Sequence, residues 1–139
     1  MKMAMTPITE QKIRDLAERN GLVLVLLFGS QSTGHARSDS DVDIAVLSER
    51  HLAETDLVAL TNQFAVVFGS DKIDVVGLAS ASPILARRIA DEATVLYDRS
   101  GHHFSVFEIA ALRKYAESAR LFQIRREKLA RDFHALSAS

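Results

Sequence analysis

The chain has no cysteine, no tryptophan, two prolines and six glycines in 139 residues. Without cysteine there is no disulfide, no thiolate zinc site and no cysteine nucleophile. No run of about 18 uncharged apolar residues occurs, which argues against a membrane span. Residues 1–20 carry charges throughout and lack the apolar core of a secretory signal. A basic excess is also missing: 17 Lys and Arg stand against 18 Asp and Glu, a net charge of −1. Direct binding of long nucleic acid through its phosphates is therefore not expected. What is present, 47% hydrophobic and 25% charged residues, suffices to bury a core and is not biased toward disorder. These features predict a single domain over residues 1–139, soluble in a bacterial-type cytoplasm, with no membrane partner.

The charge is unevenly spread. Residues 1–98 hold nine basic and fourteen acidic side chains, residues 99–139 eight basic and four acidic. An acidic body with a basic tail suggests cation chemistry in the first part and a partner surface in the second, although on charge alone a solvated helix face is the simpler account of the tail.

Thr6-Pro7 reads as a helix start and Asn20-Gly21 as its stop, with Ile8, Ile13, Leu16 and Ala17 along one face. Leu22 to Phe28 is an uninterrupted apolar run of seven, the content of a strand buried on both faces. A polar stretch rich in Ser, Gly and Thr follows to Ser40. The next strand, Asp41 to Leu47, alternates: Asp41, Asp43 and Ala45 share one face, Val42, Ile44 and Val46 the other. Further along, a helix spans Ala53 to Phe68 with Gly69 as its cap, and a strand spans Lys72 to Leu78. A helix from Ser82-Pro83 to about Asp91 and a short strand from Thr94 to Tyr97 come next. After a turn at Ser100-Gly101, no glycine or proline interrupts a helical pattern from Phe104 to Leu136. The order predicts an α/β fold, a small mixed β-sheet flanked by helices, with a long C-terminal helix.

The stretch with chemical content is Phe28 to Leu47. Asp41 and Asp43 stand two residues apart on one strand face, their Cα atoms roughly 6–7 Å apart. Oxygen ligands without His or Cys select magnesium or manganese over zinc. Asp74 sits in the strand-like segment Lys72 to Leu78, and if the two strands are neighbours it joins the same face. Three such acids would repel one another unless a cation lay among them. Upstream, Gly29 allows close approach to the backbone, and exposed N–H groups with the Ser30 hydroxyl make an anion cradle. A phosphate cradle beside a carboxylate-held cation is what phosphoryl or nucleotidyl transfer needs. Taken singly, an Asp-x-Asp pair is more often solvated surface and a Gly-Ser a plain turn. Their conjunction gives the segment its meaning. There is no Gly-Lys-Ser/Thr for a P-loop, and the nucleophile elbow around Ser32 is incomplete.

Gly29-Ser30, ten residues, then Asp41-Val42-Asp43 resembles the GSx10DxD signature of the polymerase-beta-like nucleotidyltransferases. The run Ser40 to Val46 is similar to the SDxDxAV run of their minimal nucleotidyltransferase (MNT) members, and Asp74 falls where these carry a third carboxylate. The resemblance covers about residues 8–98. It implies a polymerase-beta-like fold and magnesium-dependent transfer of AMP from ATP, with manganese as a substitute. Gly29, Ser30 and Ser40 would hold the nucleotide, and Asp41, Asp43 and Asp74 a metal pair. It departs from many relatives at Gln31 and Thr33, where they have arginines, which leaves Arg37 as the cation able to reach phosphate. It also implies the partner, because short MNT proteins are typically the antitoxin half of HEPN–MNT toxin–antitoxin pairs. The acceptor would then be a tyrosine of a HEPN-type RNase toxin.

A different class of function is a non-catalytic antitoxin that neutralises its partner by occlusion. The helix stripe that includes Phe107, Tyr115, Phe122 and Phe133 supports it, being too long for so small a body to cover, so that part of it could bind the toxin or a second copy. Transfer to a small molecule is a weaker third reading, since only a turn and one helix follow residue 98 to hold such an acceptor. His102 and His103, adjacent in a turn, are assigned no metal role, His35 is expected in solvent, and Tyr97 and Tyr115 are expected to pack.

Overall fold

The apolar run Leu22–Phe28 becomes strand β1, and all seven of its residues are buried. The computed structural model describes residues 5–29 and 41–138. Before β1 comes helix α1 (Pro7–Arg19), started by Thr6, whose hydroxyl accepts from the Thr9 N–H at 3.1 Å. After it come β2 (Val42–Ser48), α2 (Glu54–Phe68), β3 (Ile73–Gly77), a 3-10 turn (Leu78–Ser80) and α3 (Pro83–Glu92). Strand β4 (Thr94–Asp98) and the long helix α4 (His103–Ala138) complete the order.

The four strands form one sheet in the order β3-β2-β1-β4. β1 is antiparallel to both β2 and β4, whereas β2 and β3 run parallel and are joined through α2. The sheet is therefore mixed, and a parallel neighbour requires such a helical crossover. β1 lies inside the sheet with helices on both faces, which is why its sequence shows no polar alternation.

Each face has its own core. Ile13, Leu16 and Ala17 of α1, with Leu60 and Phe64 of α2, cover Val25, Leu27, Val42, Ile44 and Val46. On the opposite face, Leu26, Phe28 and Ala45 meet Leu78, Ile89 of α3, and Phe104 and Phe107 of α4. The two-residue alternation expected along the second strand is realised from Val42 onward: its valines and Ile44 enter one core, and Asp43 and Ala45 point the other way, whereas Asp41, expected on their face, lies before the strand.

Ends of elements follow local chemistry. Gly69 closes α2 in the left-handed conformation at φ 62°, and its N–H donates to the Ala65 carbonyl. The Ser82 hydroxyl caps α3 by accepting from the Leu85 N–H at 3.1 Å. Several boundaries differ from the sequence reading by a residue or two, and two of the differences have a local cause. The third strand stops at Gly77, because Leu78 turns into a 3-10 segment and is buried there rather than extending the ladder. His103 is not in a turn but opens α4: its backbone N–H and that of Phe104 donate to the Asp98 carboxylate at 3.2 and 3.0 Å.

The stripe along α4 is used only at its start. Ala111 is 1% exposed, and every residue from Leu112 to Ser137 is exposed. Among the described residues no helix is long and apolar enough to cross a membrane.

Candidate active site

The register of the sheet places the site. Phe28 at the end of β1 pairs with Asp43 of β2, and Asp43 pairs with Asp74 of β3. The three form one cross-strand row, and residues in one row project to the same face, about 4.8 Å apart from strand to strand. Asp41 immediately precedes β2 and is exposed, as is Asp74, whereas Asp43 is half-buried. The start of β2 is fixed against β3 by the Val42 N–H donating to the Lys72 carbonyl at 2.7 Å.

Gly29 follows Phe28 at φ +75°, a conformation that L side chains rarely adopt. The glycine is required for a second reason. A Cβ there would overlap Oδ2 of Asp43 and lie 3.3 Å from its Cγ, so the carboxylate rests directly against the glycine backbone. Gly29 of the predicted phosphate cradle and Asp43 of the acid pair are thus in direct contact.

Asp43 has its pKa raised above the ordinary carboxylate value. Burial is the first cause, and the negative charge of Asp74 is the second; Arg88 pulls the other way, while Asp41 and Glu92 add further repulsion. Asp41 and Asp74 are therefore both close enough to act on Asp43. Their oxygens do not form a ready cage: among the described residues no group of three His, Cys, Asp or Glu side chains is arranged to hold a metal ion. The donor chemistry nevertheless suits one. Hard carboxylate oxygens, with Asp41 and Asp74 on the surface beside Asp43, match magnesium or manganese and not a thiolate or imidazole metal. Ser30, Arg37 and Ser40, the other predicted nucleotide contacts, lie outside the described residues, as does His35.

Arg88 was not singled out by the sequence reading. It sits on α3 with its guanidinium 5.9 Å from the centroid of the Phe28 ring, and its Nε donates to Glu92 Oε2 at 3.3 Å. In the sequence, Arg87-Arg88 followed by Asp91-Glu92 shows only two helix pairs at i,i+4 spacing. His102 and His103 take no part in the site. The His103 Nδ1 lies 3.1 Å from Asp98 Oδ1 and 2.9 Å from the Ser100 hydroxyl, so the ring serves the turn before α4. Tyr97 packs against the α1/α2 core, and the Tyr115 ring lies under Arg87 at 5.1 Å.

Residues 11–102 match the family described as polymerase beta, nucleotidyltransferase. Over 131 residues the chain is 29% identical to the protein adenylyltransferase MntA of Aphanizomenon flos-aquae, covering 88% of this chain and 87% of that protein. Its structure is similar to the crystal structure of a toxin–antitoxin with AMP-PNP, with a TM-score of 0.69 and 28% identity over 90% of this chain and 98% of that one. It is also similar to a structure of tri-AMPylated Shewanella oneidensis HEPN toxin in complex with MNT antitoxin, with a TM-score of 0.64 and 26% identity over 94% of this chain and 99% of that one.

Proposed function

The chain belongs to the polymerase beta nucleotidyltransferase family, and from that premise we propose that it is a protein adenylyltransferase, an antitoxin that moves AMP from ATP to a tyrosine hydroxyl of a cognate HEPN-type RNase toxin. The observation that carries the reading is the row Phe28–Asp43–Asp74 with Gly29 seated against Asp43, because it puts a close-approach backbone beside paired carboxylates. ATP as the donor agrees with the AMP-PNP held by a similar complex. Residues 1–139 act as one unit in this reading, with the catalytic core over about 8–98, working in the cytoplasm where ATP is supplied.

Asp41, Asp43 and Asp74 would hold magnesium ions, which would supply charge neutralisation at the phosphates. The remaining work belongs to the chain. Gly29 and Ser30, with Arg37 and Ser40, hold the polyphosphate and fix the α-phosphorus for in-line attack. The acceptor oxygen forms a bond to that phosphorus as its proton passes to Asp74. The bond from phosphorus to the bridging oxygen breaks, and pyrophosphate leaves with the electron pair. The product is an AMP–protein ester.

A direct test uses ATP labelled at the α-phosphate, magnesium and the purified toxin partner. Label should pass to the toxin with the parent chain and not with the Asp41→Asn, Asp43→Asn double variant. Transfer by that variant at the parental rate overturns the proposal. A second reading, neutralisation by occlusion, is favoured by the exposed length of α4 beyond Ala111. It prevails if the double variant protects cells from the toxin as well as the parent does.

A further inference from the structure

Three carboxylates and a polyphosphate make a strongly anionic site, so the cations that face it decide how well nucleotide is held. Arg88 of α3 stands against the first residue of the acid-bearing row. Its guanidinium lies over the ring of Phe28, the residue that pairs with Asp43 and precedes Gly29. The side chain is 55% exposed, so a ligand in the site can reach it.

We propose that Arg88 is a nucleotide-binding residue, one that leaves Glu92 to take the polyphosphate of ATP and then the departing pyrophosphate, an inference that rests on the adenylyl-transfer reading of the same site. Three features support it. The Phe28 ring is 4% exposed and packed in the core, so it gives the guanidinium a firm platform at the end of β1. The pair with Glu92 is a surface i,i+4 contact, which is weakly held and readily exchanged for a phosphate. The planar guanidinium fork matches two phosphate oxygens at once, where a lysine would offer a point charge. Arg87 provides an internal comparison. It is adjacent in sequence, but it pairs with Asp91 and lies over the Tyr115 ring of α4 and not over Phe28.

The test measures binding of AMP-PNP with magnesium by calorimetry, alongside the ATP dependence of AMP transfer. Arg88→Gln should weaken AMP-PNP binding about tenfold, the loss of one charge-assisted contact, and raise KM for ATP more than it lowers kcat. Arg88→Lys should recover part of the loss, and Arg87→Gln should bind like the parent. Thermal unfolding of all three should match the parent, because surface pairs contribute little to stability. Parental AMP-PNP affinity in Arg88→Gln, or equal losses in Arg87→Gln, overturns the inference, and so does a parent chain that does not bind AMP-PNP. A parent that binds AMP-PNP through Arg88 yet transfers no AMP leaves the inference standing and removes the adenylyl-transfer reading instead.

Discussion

At the scale of single residues, the site depends on one position without a side chain. Gly29 combines φ +75° with a backbone against which the Asp43 carboxylate rests. Gly29→Ala should cost about 1–2 kcal/mol of stability from the left-handed conformation alone. It should also displace Asp43 by a few tenths of an ångström or more, and displacement of a catalytic group by about 1 Å costs on the order of a hundredfold in rate. The expected outcome is a folded variant with AMP transfer reduced roughly a hundredfold, checked by denaturant titration beside the labelled-ATP assay. A second residue, Asp98, is structural. Burial pushes its pKa up, but the N–H of Phe104, the His103 side chain, and the N–H groups of His103 and Gly101 outweigh burial and hold the carboxyl below its ordinary value. A depressed folded pKa gives stability that is present above about pH 4, the unfolded value. That stability is lost as the pH falls through the folded value. Asp98→Ala should therefore unfold about 1–3 kcal/mol more easily at pH 7, and its deficit against the parent should shrink as the pH is lowered below about 4. A constant deficit across that range would show that the carboxylate charge is not the cause.

Secondary-structure elements were legible in proportion to how local their causes are. Leu22–Phe28 announced itself as a doubly covered strand because seven apolar residues cannot alternate between core and solvent. Thr6-Pro7, Ser82-Pro83 and Gly69 marked helix ends through their own capping chemistry. The pairing of Asp43 with Asp74 was legible only as a condition, since nothing in either segment states which strands are neighbours or in what register. The start of α4 was misread for a similar reason: His103 enters the helix because Asp98, five residues earlier, accepts from its N–H and from that of Phe104. Arg88 was invisible as a site residue because its importance comes from Phe28, sixty positions away in sequence, and not from its helix neighbours. β1 joins both cores and both neighbouring strands, so damage to it should be global. Leu26→Ala, at a fully buried position, should lower the unfolding free energy by about 2–5 kcal/mol in a urea titration. A loss below about 1 kcal/mol would mean that the α3 and α4 side of the sheet can close around the gap.

Across the whole molecule, the body and the tail obey different rules. Both faces of the sheet are sealed by helices, but residues 112–137 continue as about 39 Å of exposed helix at 1.5 Å per residue. Phe122, Leu129, Phe133 and Leu136 are each more than 60% exposed along it. A solitary helix gains little stability without an apolar face to bury, so this segment has the character of a surface awaiting a second chain. Its charge indicates the kind of chain. Seven basic side chains, from Arg113 to Arg131, stand against Glu117, Glu127 and Asp132, which suits an acidic partner face around an apolar centre. In the proposed function that partner is the toxin that receives AMP, and the helix holds it while the acids at the sheet act. Two expectations separate the roles of body and tail. Removing residues 117–139, beyond the Tyr115 contact with Arg87, should leave the melting temperature and AMP-PNP affinity of the body close to parental while abolishing stable co-purification with the toxin. The intact complex should also weaken roughly tenfold between low and high salt, because screening acts on the basic rim and not on the apolar stripe. If the truncated chain still co-purifies with the toxin, the body carries the interface and the exposed helix must be covered by something else, a second copy of this chain being the first to examine by its sedimentation behaviour.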